Sequence, residues 1–279
     1  MRLAIKKLVT ILVPIQVSLL LPSCVFDNYE RERYDAFAEI IVSDDDSLSS
    51  NLKKNTKLYV FVNGLYDDNL ITVGKGDYNL SYPSETSFTF VGIVTDSIAF
   101  RFQTPNKGED IQNRFVEVID YNNFPPLYYG SVTTTKISDE IMLQMNDIRS
   151  CSHVLIRNMR SYNRAEDFQV FIGGLRQAIT YEGIVCGELV EKHLEGGFLE
   201  TGDYWLSDKL ISLPTATGEG VIVRIQRNNG EVITSRNVDD DGNIMALHPG
   251  DDVVFVITFG EHISIQVVPW TEVYSDLSL

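Results

Sequence analysis

The chain has 279 residues, 44% of them hydrophobic, with 39 Asp/Glu against 23 Lys/Arg and a formal net charge of −16. That apolar content excludes a disordered chain, because there is material for real cores. The negative charge excludes nucleic acid and anionic membrane surfaces as electrostatic partners.

Residues 1–23 read as a signal peptide. Arg2, Lys6 and Lys7 form a basic head, an apolar run from Leu8 to Leu21 follows, and Leu21-Pro22-Ser23-Cys24 closes it. That order is the layout of an export signal, and the run, broken by Pro14 and Gln16, is too short to span about 30 Å of hydrocarbon as a stable helix. The closing tetrapeptide resembles a lipobox of bacterial lipoproteins, in which the Cys is acylated and the peptide is cut just before it, although Pro22 departs from the usual pattern. Cys24 is thus the predicted lipidation site. Cleavage there would remove three of the 23 positive charges and leave 20 against 39, or −19.

Residues 24–55 read as a tether, polar, charged and Ser-rich, which buries too little surface to offset its ordering entropy. Ala36 to Val42 forms one early strand within it. Asp44-Asp45-Asp46 reads as a solvated loop, since adjacent carboxylates do not surround a calcium ion.

From residue 56 the chain is almost all strands. Lys57–Val62 is aromatic and β-branched and stops at Asn63-Gly64. Asp77–Tyr82, Phe88–Val94, Ile98–Phe102, Arg114–Ile119 and Leu127–Thr133 follow, with turn signals roughly every ten residues, the rhythm of a β-sandwich. A second series begins near Cys151, with strands through Val154–Arg160 and Phe168–Ile172, the latter stopped by Gly173-Gly174. The clearest local feature is Val221–Arg227, Asn228-Asn229-Gly230, then Glu231–Arg236: alternating segments around an Asn-Gly pair predict a hairpin, because both residues tolerate positive φ. Asp239 to Asn243 repeats the device as a turn. Val253–Phe259 and Ile263–Val268 are the last strands. Only Gly187–Leu194 carries helix-forming residues. The expected architecture is all-β, with a sandwich at 56–148 and another at 149–279.

Chemistry is hard to find. His153, His193, His248 and His262 are widely spaced and lack a metal pattern. There is no Gly-Xaa-Ser-Xaa-Gly elbow and no His-Glu-Xaa-Xaa-His. Val73-Gly74-Lys75-Gly76-Asp77 lacks both the spacing and the helix of a phosphate loop. The residues point to a non-enzymatic protein without cofactor or metal. Cys151 and Cys186 lie in a chain whose exported location permits a disulfide. Sequence does not bring their Cα atoms within about 7 Å, so bridged and free forms are both open.

Several segments resemble one family. Leu58-Tyr59-Val60-Phe61-Val62-Asn63-Gly64, Tyr78-Asn79-Leu80, Phe88-Thr89-Phe90-Val91-Gly92 and Pro126-Leu127-Tyr128-Tyr129-Gly130 are similar, in that order, to segments of the FimB-like fimbrial anchor and minor-subunit lipoproteins of the Bacteroidia-type fimbrillin superfamily. Asp240-Asp241-Gly242-Asn243-Ile244, Leu247-His248-Pro249-Gly250-Asp251 and Ile265-Gln266-Val267-Val268-Pro269-Trp270 resemble its last strands. The resemblance implies two tandem transthyretin-like (Ig-like) β-sandwich domains and a place at the base or along the shaft of a fimbria (pilus). It also implies anchoring in the outer membrane at the cell surface through lipid on Cys24, and partners that are fimbrial subunits joined by β-strand exchange. In that mode a strand from a neighbour pairs with an open sheet edge and fills its pockets. Ala36–Val42 and the tail Trp270–Leu279 are the candidate exchanged segments. The alternative reading is a glycan-binding surface lipoprotein of a nutrient-uptake system, for which Tyr121, Tyr128, Tyr129, Tyr204 and Trp205 are the aromatic material and Tyr204 and Trp205 the candidate contacts.

Overall fold

The computed structural model describes residues 34–36, 39–43, 56–72, 80–82, 86–95, 98–122, 124–135, 140–162, 168–200 and 202–277. The first half contributes β1 (Tyr34–Ala36), β2 (Glu39–Ser43), β3 (Lys57–Val62), β4 (Leu65–Thr72), β5 (Leu80–Tyr82), β6 (Phe88–Val94), β7 (Phe100–Phe102) and β8 (Phe115–Val118). Next come β9 (Tyr128–Thr134), β10 (Glu140–Gln144), β11 (Asn146–Asp147), β12 (Ser150–Arg157), the short helix α1 (Met159–Tyr162), β13 (Phe168–Thr180) and β14 (Val185–Leu194). The chain continues with β15 (Gly196–Phe198), β16 (Tyr204–Ser207), β17 (Leu210–Ser212), β18 (Ile222–Arg227), β19 (Val232–Arg236), β20 (Asp252–Thr258), β21 (Ser264–Pro269) and the helix α2 (Trp270–Leu277). The protein is all-β, as its strand rhythm predicts.

A central sheet with the order β11-β9-β6-β3-β4 is buried on both faces. Tyr59 and Phe61 of β3 and Val91 and Ile93 of β6 point into one core with Val116, Ile179 and Tyr181. Leu58, Val60, Phe88 and Phe90 point the other way, into a core with Ile141, Leu143 and Met145. Two-sided burial explains why Lys57–Val62 is a nearly unbroken apolar run, where a strand with one wet face would alternate. Asn63 and Gly64, with φ of 51° and 81°, do more than end β3: they turn the chain into a hairpin with β4, Val62 opposite Leu65. Two consecutive positive-φ residues are what a two-residue hairpin turn demands.

Two further sheets face each other across a core of Val154, Ile156, Val170, Ile172, Val223, Ile225, Phe255 and Ile257. One runs β15-β16-β12-β20-β21 with β17 also on β12; the other runs β19-β18-β13-β8-β7 with β14 also on β13. The second sheet draws strands from both sides of residue 148: Thr180 of β13 pairs with Phe115 of β8, and Ala178 with Glu117.

Two elements depart from the sequence expectation. Gly173-Gly174 does not stop its strand; β13 continues to Thr180 through a register shift between Ile172 and Leu175. Gly174 takes φ of 76°, and a Cβ there would sit 2.5 Å from the Gly220 carbonyl oxygen, so the glycine carries a bulge. Gly187–Leu194 is strand, not helix. Its pairing with β13 overrides propensity, as Val190 packs into the core and Glu191 meets Arg224. The Asn228–Gly230 hairpin and the Asp239–Asn243 turn form as expected, Gly230 at φ 89° and Gly242 at φ 83°, with Asn243 donating its N–H to Asp239 at 2.8 Å.

Candidate functional site

The N-terminal segment enters the fold by strand pairing. β1 lies antiparallel to β5, Tyr34 opposite Tyr82. β2 runs parallel to β10, from Glu39 opposite Glu140 to Ser43 opposite Gln144. The predicted early strand at Ala36–Val42 is thus resolved into two short ones, the second joined to a distant partner.

β10 carries the period-two pattern of a strand lying on a core. Ile141 and Leu143 are buried, whereas Met142 between them is 63% exposed. What lets it approach the central sheet is a pair of glycines directly opposite each other, Gly92 on β6 and Gly130 on β9. A Cβ on Gly92 would come 2.6 Å from Leu143 Cδ2, and one on Gly130 would come 2.2 Å from the Gln144 carbonyl oxygen. The glycines make a floor into which Leu143 and Met145 settle. β10 is therefore fixed by side-chain packing, and it presents its backbone to β2.

Among the described residues no group of three or more His, Cys, Asp and Glu is placed to hold a metal ion. His153 is buried and His193, His248 and His262 are exposed on separate elements. A cleft of about 340 Å³ is lined by Tyr121, Phe124, His193, Glu195, Asp208 and Lys209. His193 Nδ1 lies 3.2 Å from Glu195, and Lys209 Nζ lies 3.2 Å from Asp252. Tyr121 donates its hydroxyl to the Arg176 carbonyl, and burial pushes its pKa up, so it stays a neutral structural donor.

The predicted site residues fall in different places. Cys24 and the whole of 1–33 lie outside the described residues, as does the acidic run at Asp44. Cys151 on β12 and Cys186 on β14 are half-buried free thiols with no bridge between them; burial raises the Cys186 pKa. Trp205 is only 7% exposed and meets Phe168 edge-on at 5.6 Å. It therefore belongs to the core and offers no surface to a sugar. Tyr204 is half-buried, with the Arg157 guanidinium 6.0 Å above its ring. Tyr129 donates to the Tyr181 carbonyl at 3.0 Å, and burial pushes its pKa up to about 12. Aromatic strand residues are committed to packing here. The tail from Trp270 forms α2 rather than an exchangeable strand. Pro269 ends β21 because it has no N–H to give a further ladder bond, and Val273 one helical turn on is buried. The glycine floor leaves only one trace in the sequence, a glycine inside each of two aromatic strands.

Neither a family model nor a curated protein sequence matches the chain. Solved structures do. The fimbrial anchor protein Mfa2 from Porphyromonas gingivalis superposes with a TM-score of 0.57, covering 84% of this chain and 98% of that one at 9% identity. The two chains share a fold. A candidate polysaccharide-binding protein from Bacteroides thetaiotaomicron gives a TM-score of 0.55, covering 84% and 98% at 9% identity. A candidate adhesin from Bacteroides ovatus gives 0.53, covering 85% and 94% at 14% identity. The resemblance carried by the short strand segments is matched at the level of fold.

Proposed function

We propose that this chain is a non-enzymatic, lipid-anchored cell-surface protein that serves as an anchor or minor structural subunit of a fimbria. The observation that carries the reading is the shared fold over 98% of the length of a fimbrial anchor protein. Leu21-Pro22-Ser23-Cys24 supports export and acylation; two or three acyl chains on Cys24 would give stable retention where one is marginal. In this reading 1–23 is removed, 24–55 tethers the protein to the outer membrane, and the strand-rich units at 56–148 and 149–279 stand above it.

Assembly by strand exchange is the proposed mode of contact with fimbrial subunits. The β2·β10 pair supports it: β2 contributes five residue pairs to a strand that the glycine floor already holds in place. Without β2, the outward N–H and C=O groups of β10 would stand open beside an apolar core, which is the feature an incoming strand recognises.

The test is a pull-down of the tagged, lipidated protein from its native cells, repeated with 39–43 deleted and with Cys24→Ser. Recovery of β-rich fimbrial subunits in a detergent-resistant complex, lost on deletion of 39–43, is the expected result. Recovery of an outer-membrane transporter with glycan-handling neighbours would overturn it in favour of nutrient uptake. Membrane retention of Cys24→Ser would overturn the lipid anchor.

A further inference from the structure

The outer face of the β15-β16-β12-β20-β21 sheet is apolar and covered from within the chain. Leu155, Val254 and Val256 are buried there with Val273 of α2, and Leu206, Val268 and Trp270 pack around them. An eight-residue helix is marginal on its own in water, so α2 exists because it is docked.

Its first residue makes a specific contact. The Trp270 indole stacks on the His153 imidazole with centroids 4.2 Å apart and planes at 18°. His153 is 8% exposed, on the β12 strand at the centre of the sheet, with Nδ1 3.4 Å from the Ser207 carbonyl oxygen. We propose that α2 is an acid-released cover, held by neutral His153 against Trp270, and that protonation of His153 frees the helix and exposes the Leu155–Val254–Val256 strip.

Burial of the ring decides the sign, against most of the polar groups around it and against the attraction a cationic imidazole feels for the Trp270 indole face. Burial is the largest influence and lowers the His153 pKa below 6.5; the Ser207 carbonyl, Asp252 and Asp208 act the other way, and Lys209 acts with burial. Asp252 and Lys209 are paired with each other at 3.2 Å, which mutes both. Glu272 is the acidic residue of the first turn of α2. Docking therefore holds a neutral imidazole, whereas an undocked His153 meets water and protonates near pH 6.5. The cover is fully docked above that pH and weakens as pH falls below it, by up to about tenfold per pH unit for one proton.

The experiment uses the full chain in detergent, with hydrogen exchange read by mass spectrometry on the peptide 270–277 at pH 7.5 and pH 5. Trp205→Phe leaves Trp270 as the sole tryptophan, and its emission maximum is followed over the same range. The expected result is a several-fold loss of protection in 270–277 at pH 5, with a red shift of Trp270 emission. Both are to disappear in His153→Phe, which keeps a ring to stack and has nothing to titrate; His153→Gln replaces it should the Phe variant not fold. Protection that is the same at both pH values, or a loss that persists in His153→Phe, overturns the proposal.

Discussion

At the scale of single residues, the tightest constraint is Gly130. The Gln144 backbone oxygen stands 2.2 Å from where its Cβ would be, and backbone cannot swing aside as a side chain would. Gly130→Ala is expected to destabilise the protein by about 3 kcal/mol, read as a shift in urea midpoint. Gly64→Ala is the control: nothing lies within 4 Å of its Cβ position and only the φ of 81° opposes it, so roughly 1 kcal/mol is expected. A second residue-scale prediction concerns Glu109. Hydrogen bonds from the Arg114 guanidinium at 2.7 and 2.8 Å, with the Asn106 backbone N–H behind them, hold its carboxyl at about 2. A depressed acid contributes fully above its ordinary pKa near 4.5 and loses that contribution as pH falls toward 2. In Arg114→Gln the Glu109 titration, followed by carboxyl NMR, should move up toward 4.5.

At the scale of elements, sheet edges carry the consequences. β21 is an outer strand, yet its edge is closed near the start: Asp240 donates its N–H to the Ile265 carbonyl at 2.9 Å and accepts the Ile265 N–H on its carboxylate at 3.1 Å. Asp240→Ala reopens that N–H and should cost about 1 kcal/mol. Light scattering should also show more self-association, since an open N–H on an edge strand invites pairing. Elements whose pattern is local were legible in the sequence. β3 and β6 match their predicted bounds because two-sided burial makes them continuous apolar runs, and β18–β19 was marked by its Asn-Gly turn. β4 was hidden by Asp67-Asp68-Asn69, which reads as loop but rides on β3 as an edge. β10 was hidden because its buried Ile141 and Leu143 are separated and followed by the exposed Met142 and Gln144, too short an alternation to stand out. The glycine floor was illegible for a deeper reason: Gly92 and Gly130 meet only once β6 and β9 have paired, and no local pattern reports a partner that far along the chain.

At the scale of the whole molecule, the halves share structure. Tyr181 of the second half sits among first-half rings, 4.5 Å from Tyr59 and 6.0 Å from Phe61, and is wholly buried. Calorimetry should therefore show a single cooperative transition, and a fragment spanning 149–279 should not fold alone, because β13 would lose its partner β8, the sheet would lose β7 beyond it, and Tyr181 would lose its aromatic seat. Two resolved transitions would mean that the shared sheet contributes little. The same shared sheet sets a schedule. A chain made from its N-terminus presents Phe115–Val118 long before Ala178–Thr180 exists, and β2 must wait still longer for β10. At synthesis rates of about 5–20 residues per second, the sixty or so residues between β8 and its partner amount to roughly 3–12 s of waiting. For that interval β8 has no β13 beside it, and the face of β3 and β6 that Ile179 and Tyr181 later cover stands uncovered, so the newborn first half carries an apolar surface that only the second half can close.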